Sequence, residues 1–64
     1  MTEDTITITV PLTDAQALAF AQFLKRVGLS DFRALATDDE EADTMQHAGN
    51  TIRRALSDIG YAPR

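Results

Sequence analysis

The densest chemistry in this sequence lies at Asp38, Asp39, Glu40, Glu41 and Asp43, which put five carboxylates between positions 38 and 43. Acids at the start of a helix interact favourably with its dipole, each contributing about 0.3–1 kcal/mol. One or two acids meet that need. Further ones repel each other, as Asp39 and Asp43 do at i,i+4. At 1.5 Å per helical residue, Arg53 and Arg54 lie roughly 20 Å further along, too far to neutralise the cluster. Two roles therefore stay open: helix capping with solubility, or a surface for a basic partner. Closely spaced carboxylates imitate a run of phosphates, so side chains that grip DNA would also grip them, rapidly and in a salt-sensitive way. Asp31, Glu3 and Asp4 are lesser candidates for the same surface.

Other chemistry finds little footing. His47 is the single histidine, four residues after Asp43. A metal site needs three or four ligands, and the chain has no cysteine and no second histidine, so the pair reads as a surface contact. Ser30 and Ser57 read as cap and surface positions, and no glycine-rich phosphate loop occurs. A chain this short has little capacity for a substrate pocket beside a core. The expectation is a protein that is not an enzyme and holds no cofactor or metal.

The elements that must carry the acids are readable from period and punctuation. Thr5-Ile6-Thr7-Ile8-Thr9-Val10 alternates apolar with polar and is β-branched throughout, the pattern of a strand. Ile6, Ile8 and Val10 share one face, and Pro11 stops pairing. Thr13 with Gln16 forms a capping box for a first helix, with Leu12 placed to staple against Ala17. Ala17, Phe20, Phe23, Leu24 and Val27 make its apolar stripe, and Leu18 falls off it. Lys25 and Arg26 suit its last turn, and Gly28-Leu29 reads as a Schellman stop. Ser30 opens a short second helix to about Ala36, with Phe32, Leu35 and Ala36 apolar. Thr37 with Glu40 reads as a second capping box, opening the longest helix. Ala42, Met45, Ala48, Gly49, Ile52, Ala55, Leu56 and Ile59 form its stripe, and Gly60-Tyr61 followed by Pro63 ends it. Gly49 in mid-helix points to a close approach by another backbone. The expected fold is α+β, one small domain over residues 1–64 in the order β-α-α-α, with the last helix longest.

The chain has 64 residues, with 10 acids against 6 bases for a net charge of −4. A chain of this size buries only about 60% of its unfolded surface and is marginal alone. Without cysteine it has no disulfide to compensate. The acidic start does not resemble a signal peptide, and no apolar run approaches a membrane span. A soluble cytoplasmic protein is expected, with no direct nucleic-acid binding.

A lone strand cannot satisfy its own hydrogen bonds. No other segment alternates, so its partner must be a second copy or another protein. The first thirty-odd residues resemble ribbon-helix-helix regulators, in which paired N-terminal strands of a dimer enter the DNA major groove. Thr5, Thr7 and Thr9 would then read bases. The net negative charge and the absence of a basic residue beside the strand oppose that reading. A small accessory or antitoxin-like protein that captures its partner through an apolar surface is a further alternative.

In overall character the chain is similar to anti-CRISPR proteins of phages and mobile elements. The similarity runs from Thr5-Ile6-Thr7-Ile8-Thr9-Val10 through Asp38-Asp39-Glu40-Glu41 to Gly60-Tyr61-Ala62-Pro63. The narrower resemblance is to small inhibitors of type I CRISPR systems, type I-C among them. It implies an inhibitor in the bacterial host cytoplasm that binds the crRNA-guided surveillance complex (Cascade). The basic surface that recognises the PAM duplex would be its target. Asp38, Asp39, Glu40, Glu41 and Asp43, with Asp31, Glu3 and Asp4, would then be its contacts, the protein acting as a monomer or as a homodimer through the N-terminal strand.

Overall fold

The computed structural model describes residues 4–61. It contains three helices: α1 (Asp14–Arg26), α2 (Leu29–Leu35) and α3 (Asp39–Asp58). No strand occurs among the described residues, so the fold is all-α and the expected β-α-α-α architecture is overturned. The reason is the one that made a lone strand problematic. Residues 4–13 run without a helix, and no other segment among the described residues supplies a ladder for them. Their apolar face is bare: Ile6 is 87% exposed, Ile8 71% and Val10 61%.

Three of the five helix ends expected from cap chemistry behave differently in detail. The α1 start is as expected. The Gln16 N–H donates to Thr13 Oγ1 at 3.1 Å, and the Thr13 N–H donates to Gln16 Oε1 at 3.0 Å. Its end differs, because Gly28 does not adopt the left-handed conformation of a Schellman stop. Val27 and Gly28 are extended, and Gly28 itself caps α2, its N–H donating to Asp31 Oδ2 at 2.8 Å. Ser30 therefore lies inside α2. The cap of α3 is Asp38 rather than Thr37: Asp38 Oδ1 accepts from the Glu41 N–H at 2.8 Å. The α3 end is as expected. Gly60 has φ +106°, the Gly60 N–H donates to the Ser57 carbonyl, and the Tyr61 N–H donates to the Leu56 carbonyl.

Both shorter helices pack on α3 and not on each other. The body measures 33 × 27 × 17 Å. Its thin direction has room for two helix layers about 8–10 Å apart and no third, so few positions are covered on all sides. The buried apolar residues are Ala17, Ala21 and Leu24 of α1 with Ala42 and Leu56 of α3. Small side chains dominate because they sit where helices approach closely. The expected stripes are thus only partly buried. Phe20, Phe23, Ile52 and Ile59 stay exposed, and Leu35 is almost bare on α2. Ala21 was not on the expected stripe. The close approach at Gly49 is made by side chains, not by backbone. A Cβ there would stand 3.4 Å from Phe32 Cζ and 3.6 Å from Leu24 Cδ2.

Two glycine substitutions should therefore move stability in opposite directions. Gly49→Ala places its methyl in ordinary contact distance and gains helix propensity, raising stability by up to about 1 kcal/mol. Gly60→Ala puts a Cβ on a left-handed residue and lowers stability by about 1 kcal/mol. Thermal unfolding at one protein concentration should separate the two by roughly 4–8 °C per kcal/mol. Equal shifts for both would contradict the geometry at these sites.

Candidate functional site

The acidic residues singled out from sequence are placed largely by local backbone chemistry. Asp38 caps α3. The Glu41 carboxylate accepts from the Thr37 N–H and from Thr37 Oγ1, both at 3.1 Å, and so fastens the segment entering the helix. Asp31 is tied to Gly28 at the start of α2. Asp39 lies 3.5 Å from Arg33 Nε, the one ion pair among the described residues, and both side chains are well exposed. Sequence spacing along α3 missed this neutralising partner because Arg33 comes from a different helix. Glu40 and Asp43 are exposed, and Asp4 lies in the exposed extended segment. Glu3 lies outside the described residues. The structure thus gathers Asp38, Asp39, Glu40, Glu41 and Asp43 at one helix start, with three of the five engaged in capping, latching or pairing.

No group of three or more metal-ligating side chains stands within reach of one ion among the described residues. His47 is exposed. No helix among them is long and apolar enough to cross a membrane.

The more distinctive feature is an apolar groove of about 1090 Å³ between α1 and α3. Phe20 and Phe23 supply one wall, and Ile52 and Ile59 the other. The two phenyl rings are near-parallel, with centroids 5.7 Å apart. Val10 and Leu12 of the extended segment close one side. The sequence signal for this site was present: it is the part of the two stripes that the small core leaves uncovered. Of its polar lining residues, Tyr61 is already committed. Its hydroxyl donates to the Asp14 carboxylate across 47 residues of sequence, joining the end of α3 to the start of α1. That bond holds the Tyr61 pKa above its ordinary 10.0, with lost hydration and the Asp14 negative charge adding in the same direction.

The chain belongs to a family of unknown function (DUF7706), which matches residues 1–64. No curated protein matches the chain, and no solved structure does.

Two measurements follow from this geometry. Asp38→Ala should cost about 1 kcal/mol by removing the α3 cap, whereas Glu40→Ala should stay within about 0.5 kcal/mol. Chemical denaturation distinguishes them, and equal costs would remove the special role of Asp38. Tyr61 is the single tyrosine and there is no tryptophan, so its ionisation is directly visible by ultraviolet absorbance. Its midpoint should lie above 10.0 and fall in Asp14→Asn. Because the folded pKa is raised, the bond's contribution is complete below the unfolded value and is lost as pH rises through the folded one. An unchanged midpoint in Asp14→Asn would show that Asp14 does not hold the phenol.

Proposed function

We propose that this protein is a non-catalytic binding module that acts by stoichiometric protein–protein contact through the apolar face between α1 and α3. The observation that carries this reading is the open groove walled by Phe20, Phe23, Ile52 and Ile59. Large apolar side chains left exposed together in one trough, rather than scattered singly, are the kind of surface that marks interaction sites. A small-molecule site would need several convergent polar groups to orient its ligand. This groove offers few, and the Tyr61 hydroxyl is bound to Asp14. Phenylalanine and isoleucine in an open trough instead suit the apolar side chains of another protein chain.

The narrower reading, an anti-CRISPR inhibitor that imitates DNA, draws on the exposed carboxylates of Glu40, Asp43 and Asp39. Its support is weaker, since Asp38 and Glu41 serve the helix start and Asp39 has a cationic neighbour. A DNA-binding dimer draws only on the extended segment, beside which no basic residue stands to hold phosphates.

The test uses the wild-type chain, Ile52→Asp and the pair Glu40→Lys with Asp43→Lys as baits in lysate of the source cell. Circular dichroism first confirms that helicity is kept. The expected result is a protein retained in near-equimolar amount by wild type and by the lysine pair. Ile52→Asp should retain it at least tenfold less, equivalent to about 1.4 kcal/mol. Retention unaffected by Ile52→Asp, or lost only in the lysine pair, would overturn the apolar-face reading.

A further inference from the structure

We infer that residues 4–12 are an autoinhibitory strap that closes over the groove of its own chain, seating Ile8 beside Phe20 and Ile6 beside Phe23 and Ile52. A partner must displace the strap to bind. The inference rests on the binding-module reading above and adds its regulation.

The strap is already half seated. Val10 and Leu12 line the groove, whereas Ile6 and Ile8 are exposed. Apolar residues fill every second position from Ile6 to Leu12, so in an extended chain all four project to one side. Two of them are in the groove, and the other two continue the same edge. Thr5, Thr7 and Thr9 take the opposite side, which stays in water. The alternation has no ladder to serve among the described residues, and a strap needs none. Over an open trough its N–H and C=O groups point sideways into solvent, where water satisfies them.

The lengths agree. Tyr61 meets Asp14, so α3 ends where α1 begins. From that end one wall of the groove runs from Gln16 through Phe20 to Phe23, and the other from Ile59 to Ile52. Each spans about 10 Å at 1.5 Å per helical residue. The arm enters at the same end, because Leu12 directly precedes the Thr13 cap. At roughly 3.3 Å per extended residue, Ile8 lies about 7 Å beyond Val10 and Ile6 about 13 Å beyond it. With Val10 level with Gln16, Ile8 comes level with Phe20 and Ile6 just past Phe23.

Charge favours the same placement. Closure carries Asp4 to the last turn of α1, which holds Lys25 and Arg26. At about 100° per residue, Arg26 continues the row of the groove-lining Ala19, whereas Lys25 faces away from Gln16 and Phe23. The carboxylate of the arm therefore arrives beside Arg26. Tethering adds to this. A segment joined to the edge of the groove meets it at an effective concentration on the order of millimolar, ahead of a dilute free partner.

Nuclear magnetic resonance of the full wild-type chain tests closure, at a concentration where sedimentation gives a single chain of 7.0 kDa. Nuclear Overhauser contacts should join the Ile8 methyls to the Phe20 ring and the Ile6 methyls to the Phe23 ring. In a mixture of labelled and unlabelled chains they should stay within one chain. Arg26→Glu should weaken the Ile6–Phe23 contact at least twofold at low salt, and Lys25→Glu, with the same change of charge, should leave it. Ile6→Ser with Ile8→Ser should open the groove. With helicity kept by circular dichroism, it should raise the fluorescence of the apolar dye anilinonaphthalene sulfonate at least twofold over wild type. Absence of both contacts, their appearance between chains, or dye fluorescence equal to wild type would overturn the strap. In that case a partner still lost in Ile52→Asp would leave the binding module standing. Closure observed while Ile52→Asp retains as much protein as wild type would overturn the binding module, with the strap a cover for the groove alone.

Discussion

The whole molecule depends on how α3 meets its two neighbours. Helices approach closely only where side chains are small, and here Ala17, Ala21, Ala42 and Gly49 provide that closeness. Close approach fixes geometry well but buries little area, and alanine contributes little transfer free energy. Among the described residues, Leu24 and Leu56 are the only larger side chains taken into the buried core. The large apolar residues are displaced to the margins, where they make the groove instead of the core. The groove is therefore a by-product of the packing solution, not an addition to it.

Helix-end chemistry matters more in such a body than in a larger domain. Thr13 with Gln16, Asp31 with Gly28, and Asp38 with Glu41 each satisfy backbone groups that a thin structure exposes to solvent. The acidic character of the α2–α3 corner is the same phenomenon. Several of its carboxylates are occupied with main-chain N–H groups, and Arg33 offsets Asp39. Glu40 and Asp43 are the part of the cluster whose charge faces outward without such an engagement.

Local signals were the legible ones. The capping box at Thr13, the Schellman end at Gly60-Tyr61 and all three helices could be read from short-range pattern. What escaped was whatever depended on a third dimension. Gly28 looked like a left-handed stop, yet the immediate start of α2 makes it an extended cap. Thr37 and Asp38 are both competent caps, and only the position of Glu41 decides between them. The strand assignment at Thr5–Val10 failed because β-branched alternation reports a compatible conformation, not the presence of a ladder. The acidic cluster was found by composition, while the Arg33 pairing and the Phe20–Phe23 wall needed the placement of one helix against another.

The bond between Tyr61 and Asp14 has a mechanical meaning beyond its effect on titration. It fastens the end of α3 to the start of α1, so the helical body is a closed circuit with Thr13 just outside it. Residues 4–12 are an extended arm outside that circuit. Among the described residues, Val10 and Leu12 are the part of the arm that lines the groove. None of the buried core residues comes from residues 4–12, so the durability of the helical body is set apart from whatever that segment meets.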